Sequence, residues 1–317
     1  MLWTRSETSN RALLAFSLPL FFLLGEATLL ADSMGDLRLE LLKSKDPVRR
    51  LELVREIGAL AELEGASIST AVSALGAALL DEDVRVARTA VEILRRDAMR
   101  SKAASHLTKA LLKQTDRQKS LIKTQDKNIE TLVELMSDRE DAEPDELEKT
   151  VELFDQFFES YRVVYQKINT STVLIGEISG SLALYTEARV SKTLKKAVKR
   201  VHSYSPVESV PVMQAVLQHR SRSSVSVVVD LLQKYDYRAD QKAARDFFTV
   251  RTGQKWIDWG VRYHRALSHV ARTVDPDFVP PAHGTGTPEY WRKWFKENRE
   301  KLPKSPEPME KPPSVES

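Results

Sequence analysis

From residue 36 onward, apolar residues recur three and four positions apart between short polar breaks, the rhythm of amphipathic helices joined by turns. Leu37, Leu39, Leu41 and Leu42 mark a first helix over 36–43. Asp46-Pro47 opens the next, since an aspartate there can cap orphan amides and proline suits a first turn. Val48, Leu51, Val54, Ile57 and Ala61 form its apolar side, and Gly65 interrupts it. An Ala-rich helix is predicted over 68–80. Asp81-Glu82-Asp83 then breaks the chain before a helix over 84–100 that carries Val84, Ala87, Ala90, Val91 and Leu94 on one face. Another is expected over 103–113.

The centre is less regular. Apolar content falls between 114 and 127, returns at Ile129, Leu132, Val133 and Leu135, and gives way to an acidic turn or linker over 138–146. A strong helix is predicted over 147–168, where Phe154, Phe158, Tyr161 and Tyr165 follow a four-, three-, four-residue rhythm expected of core packing. Helices over 171–185, 189–202, 207–219, 225–235 and 239–250 continue the pattern, with Pro206 and Pro211 at a turn and a first turn. Gly176 and Gly180 predict a close helix contact. The fold class read from this is all-α.

Two stretches recur. Asp46-Pro47-Val48-Arg49 and Glu82-Asp83-Val84-Arg85 align at an offset of 36 residues, and Val190 and Leu194 match Val225 and Val229 at 35. That is the period of helix pairs that bury their faces by stacking on one another. The first pair of segments resembles HEAT repeats. The resemblance implies that Asp46 and Asp83 cap the inner helices, while Arg49 and Arg85 pack along the ladder between repeats. Further on, Thr252, Gly253, Gln254, Trp291 and Trp294 resemble the end of exported bacterial HEAT-repeat proteins, which close with a Thr-Gly-Gln turn and a Trp-x-x-Trp helix. This chain departs from that pattern by an extra helix-like stretch from Trp259 to Val270.

The fold implied is an armadillo-type α-α superhelix, a HEAT-like solenoid, with an atypical repeat or a longer helical hairpin in its centre. Repeats are expected over 36–113 and 169–260, the irregular insert over 114–168, a capping segment over 261–302 and a disordered Pro-rich tail over 303–317. The tryptophans are expected to seal the open end of the array. A carbohydrate- or peptide-binding platform is the other use of such a pair.

The N-terminus has the layout of an export signal. Arg5 and Arg11 lead into a charge-free run over 12–24, and Gly25-Glu26-Ala27 offers small residues for cleavage before Thr28. That run rises about 20 Å as a helix, short of the roughly 30 Å core of a bilayer. A cleaved signal peptide over 1–27 is expected, with a periplasmic or secreted mature chain. A membrane anchor over 12–31 is the alternative.

Composition narrows the function. With no Cys among 317 residues, disulfides, thiolate metal sites and thiol nucleophiles are excluded. A content of 42% hydrophobic residues is too high for a disordered chain, and 11 Gly are too few for Gly-rich cofactor folds. The net charge of +3 is nearly balanced, but its distribution is not. Residues 134–159 hold eleven acids and two bases, whereas residues 189–222 hold eight bases and one acid. Lys192, Lys195, Lys196, Lys199 and Arg200 share one side of a predicted helix and form the candidate partner-binding patch, suited to an acidic protein or envelope polymer. Export and charge balance argue against nucleic acid.

Catalytic chemistry is not apparent. No zinc-protease, phosphate-loop, nucleophile-elbow or calcium-loop pattern occurs, and His264 and His269 are five apart, off a common helix face. No catalytic residue, metal or cofactor is assigned. The sequence therefore points to a non-catalytic protein-interaction or scaffold module of the cell envelope. A structural subunit of an envelope assembly, or a glycan-binding or carbohydrate-active protein, are the alternatives.

Overall fold

The computed structural model describes residues 33–63, 67–137, 144–205, 208–233, 259–281 and 288–307. Among them all regular structure is helical: α1 (33–43), α2 (Pro47–Leu60), α3 (Ile68–Ala78), α4 (Val84–Leu94), α5 (Asp97–Ser137), α6 (Pro144–Leu182), α7 (Ala188–His202), α8 (Val210–Gln218), α9 (Arg222–Gln233), α10 (Trp259–Val274) and α11 (Pro288–Asn298). None of the described helices is long and apolar enough to cross a membrane. The leader, the helix expected over 239–250 and the Thr252-Gly253-Gln254 turn lie outside the described residues. The chain divides into two compact units, Met1–His106 and Leu107–Ser317.

In the first unit α2, α3 and α4 pack on one another around Leu53, Val54, Ile57, Leu75, Val91 and Leu94, all fully buried. The two aspartate turns have nearly the same backbone, φ −79° and ψ 118° at Asp46 against φ −79° and ψ 116° at Asp83. Each carboxylate accepts a hydrogen bond from the amide two residues on, Val48 at 3.0 Å and Arg85 at 2.8 Å. The structural offset is thus from Asp46 to Asp83, one residue longer than the offset aligned by Val-Arg.

The arginines behave differently from one another. Arg49 lies among Glu40, Glu52 and Glu56 on the exposed side of α2, and Arg85 folds back on its own cap, Asp83. The residue that ties the two turns together is Arg50. Its guanidinium binds both oxygens of Asp81 at 2.7 and 2.9 Å, and also donates to the Lys45 carbonyl at 2.9 Å. Asp81 in turn accepts from the Asp83 amide at 2.8 Å, so one carboxylate joins the two turns. Such a forked, charge-assisted pair holds direction as well as charge.

At the centre of the chain the helices are longer than those predicted over 103–113 and 147–168. Two helices, α5 and α6, run unbroken through the expected gaps. Gln114 and Ser171, Gln118 and Thr172, and Asn128 and Ser160 meet across them, which makes an antiparallel hairpin. Apolar content falls along α5 because glutamines occupy its seam: Gln114, Gln118 and Gln125 are all buried. Polar 169–172 does not break α6, since Thr172 donates its hydroxyl to the Ile168 carbonyl within the helix at 3.0 Å. Two residues of the aromatic stripe are not core: Phe158 is 51% exposed and Tyr165 44%.

Helix α8 is the centre of this unit and packs on α6, α7, α9 and α10. A Cβ on Gly176 would come within 3.1 Å of Pro211, so the glycine permits close approach of α6 to α8, whereas Gly180 has open space around it. Ahead of α8, Ser209 Oγ lies 2.7 Å from the Tyr263 hydroxyl, and His202 Nδ1 is 3.3 Å from both, which joins α7 and α10 to the start of α8.

A tight helix crossing in the first unit is at Gly58, where a Cβ would fall 2.7 Å from Cδ1 of the buried Ile93. Gly58→Leu should therefore destabilise the first unit by about 2 kcal/mol or more through overpacking, read as a lower urea midpoint with an unchanged slope.

Candidate functional site

Helix α7 forms because its apolar residues, Val190, Leu194, Ala197, Val198 and Val201, repeat at helical spacing and are all buried. Between them the basic residues divide into two groups. Lys192, Lys196 and Lys199 stand exposed, at positions four and three apart along one side. Lys195 and Arg200 are half-buried and engaged: Lys195 Nζ donates to Ser223 Oγ at 2.9 Å, and Arg200 forms an ion pair with Asp116 on α5. Burial, and then the charge of Lys199, lower the pKa of Lys195. The five predicted residues thus share a helix, with three free to meet a partner and two fastened to the fold. Basic residues in the last turn, Lys199, Arg200 and His202, also complement the negative end of the helix dipole.

One residue that the charge count passed over, the single acid of 189–222, sits beside this patch. Glu208 contacts the Thr172 hydroxyl, which lies 2.7 Å from Gln118 Nε2; Gln118 Oε1 is 2.9 Å from the Tyr204 hydroxyl, which also meets the Thr115 carbonyl at 3.1 Å. The Thr172 hydroxyl faces two acceptors, the Ile168 carbonyl and the Glu208 carboxylate. Burial raises the pKa of Glu208, opposed by the hydrogen bond that the Thr172 hydroxyl donates to its carboxylate. Burial likewise raises the pKa of Tyr204. The cluster joins α5, α6 and the entry to α8.

The two predicted cap tryptophans fall into the core of the last helices. Trp291 is fully buried and Trp294 nearly so, with ring centroids 5.8 Å apart in an edge-on arrangement, and Phe278 packs within 6.2 Å of each. The Trp291 indole donates to His264 Nδ1. Indole faces covered in this way close α11 against α9 and leave no platform for a sugar to stack on.

Beyond α11 the chain turns back. The Arg222 amide donates to the Pro303 carbonyl at 2.9 Å, and the Glu307 amide to the His219 carbonyl at 3.1 Å. Arg222 also binds the Leu302 and Glu300 carbonyls and the Glu300 carboxylate. Residues 303–307, expected to begin a free tail, are held by these bonds and by buried Leu302. The rest of the Pro-rich stretch lies outside the described residues. Arg220, at φ 47°, makes the sharp turn that presents these groups.

Among the described residues no three His, Asp or Glu side chains cluster so as to hold a metal ion. The hollows found in the first unit are shallow; one is lined by Leu41, Arg50, Ala78 and Asp81, whose charged pair is already mutually satisfied. No protein-family model matches the chain, and neither a curated protein nor a solved structure does.

Glu208 makes a signed prediction. A carboxyl whose pKa is raised on folding contributes stability that is complete below the unfolded carboxylate range and is lost as pH rises through the folded value. Glu208→Gln keeps an oxygen to accept from Thr172 without the charge. Thermal unfolding from about pH 4 to about pH 8 should show the variant more stable than the native chain at the upper end, with the two converging at the lower.

Proposed function

We propose that this protein is a non-catalytic interaction or scaffold module of the cell envelope, a HEAT-like solenoid exported by its N-terminal leader, and that α7 presents its partner-facing surface. The single observation that supports this is the division of α7: a wholly buried apolar side and an exposed row of Lys192, Lys196 and Lys199, with no acidic residue anywhere on the helix. Among the described residues these three lysines make no ion pair, so their charge is directed outward. An acidic protein surface fits them better than a glycan does, since the tryptophans that would stack on sugar rings are buried.

Mature chain beginning at Thr28 and its Lys192→Gln/Lys196→Gln/Lys199→Gln variant should be used side by side to capture partners from envelope extract. The expected result is one acidic protein retained by the native chain, released by salt and absent from the variant. Equal retention by both baits would remove α7 from the interface.

A further inference from the structure

In the second unit another row of bases lies beside the α7 lysines, on α5. Exposed residues of α5 recur at 109, 113, 116, 120 and 123, four and three apart, which places them along one side of the helix. They read Lys109, Lys113, Asp116, Ser120 and Lys123. Lys119 and Arg117, both half-buried, complete the charged residues of 107–123, so this stretch holds five bases and one acid. Past Lys123 the balance reverses, with Asp126, Glu130 and Glu134 against Lys127, and the basic stretch ends there.

Helix α7 joins this row at its one acid. The Arg200 guanidinium pairs with Asp116, and the Tyr204 hydroxyl, one turn on, meets Gln118 Oε1 at 2.9 Å and the Thr115 carbonyl at 3.1 Å. Thr115 and Gln118 are buried and hold the end of α7 against α5, while the Asp116 side chain stays 53% exposed. Lys196 lies one turn before Arg200, and Lys113 and Lys119 lie three residues to either side of Asp116. Residues so spaced stand about 5–6 Å apart at Cβ. One exposed carboxylate thus sits among Lys113, Lys119, Lys196 and Arg200, with Lys192 and Lys199 further along α7. Glu208, the other acid nearby, is engaged with Thr172 on α6.

We propose that the exposed sides of α5 and α7 form one docking surface for an acidic segment of a partner protein, and that Asp116 holds on Arg200 the place that a partner carboxylate takes. This rests on the reading of α7 as the partner-facing helix, and adds to it a second helix and a recognition residue. Lysines attract as point charges, whereas a guanidinium fixes the direction of a carboxylate, so Arg200 sets the register of a partner that the lysines draw in. An exposed ion pair contributes little, and exchanging Asp116 for a partner's carboxylate therefore costs little. The acid already seated there is a carboxylate, which favours Asp and Glu side chains over phosphate polymers.

The test uses the full mature chain and a fluorescent sixteen-residue peptide of alternating Glu and Ala, with a peptide carrying Gln in place of Glu as control. Anisotropy titration should show saturable binding of the Glu peptide alone, weakening as salt is raised. Lys113→Gln/Lys119→Gln should weaken binding about threefold or more and flatten its salt dependence. Asp116→Asn frees Arg200 and removes the competing charge, so it should strengthen binding by a similar factor. A pair with a structural role alone would instead show lower thermal stability and unchanged peptide affinity in that variant. Circular dichroism shows whether each variant is folded, and the lysine pair remains a test should Asp116→Asn unfold. Absence of saturable binding, native affinity in Lys113→Gln/Lys119→Gln, or unchanged or weaker binding by Asp116→Asn would overturn the proposal. So would displacement of the peptide by inorganic polyphosphate at a lower concentration of charge than by unlabelled peptide, since the surface would then serve a phosphate polymer. Lys192→Gln/Lys196→Gln/Lys199→Gln separates the two readings. If it loses the peptide while the α5 variants keep native affinity, only the extension to α5 fails; if it binds as the native chain does, the α7 reading itself fails.

Discussion

The second unit is organised by one short helix with little polar surface to offer water. Six of the nine residues of α8, Val210, Val212, Met213, Ala215, Val216 and Leu217, are buried. A helix apolar on nearly every side has to be surrounded, and α6, α7, α9 and α10 surround it. Each buried Val, Leu or Met contributes roughly 1.5–3 kcal/mol by leaving water, so the neighbours are held by what α8 has to hide. Other features follow from that demand. Gly176 lacks a side chain where Pro211 comes closest, α7 turns its apolar side inward and its lysines outward, and the Ser209, His202 and Tyr263 triangle satisfies polar groups that the burial encloses. The polarity of α7 is the outer consequence of the apolar character of α8.

The first unit uses another means to the same end. Its turns are specified by carboxylates. Asp46 and Asp83 each satisfy an amide at a helix start, and Asp81 gathers Arg50 and the Asp83 amide at one point. Direction at a turn decides how the following helix meets the preceding one. The near identity of the backbone angles at Asp46 and Asp83 therefore gives α2 and α4 matching entries, and their crossing is close enough to require Gly58.

Much of this was legible in the order of residues, and what was not has physical reasons. Helix starts at Asp46-Pro47 and Asp83 were readable because capping is local. The apolar side of α7 and its exposed lysines were readable because a single helix with a clear period needs no knowledge of its neighbours. Arg50 was not distinguishable from Arg49, because its partner Asp81 lies 31 residues away and only packing brings them together. The continuity of α5 and α6 was hidden by glutamine and threonine, which resemble breaks in a linear pattern but hydrogen-bond inside the hairpin. Phe154, Phe158, Tyr161 and Tyr165 have the rhythm of a core stripe, yet whether a position such as Phe158 is covered depends on what packs on α6, which no local pattern states. Glu208 entered the charge count only as one acid among eight bases, because its confinement is a tertiary property.

The bonds between the turn at 219–222 and residues 300–307 set an order of events. Arg222 and Pro303 are 81 positions apart, and the α8–α9 turn cannot complete its hydrogen bonding until the later residues are present. During synthesis this corner of the molecule stays open while the helices before it can already pair. Long-range closure of this kind makes the last step of folding slow relative to the local ones. The second unit is in effect buckled by residues 300–307, and this corner closes only after they have been made.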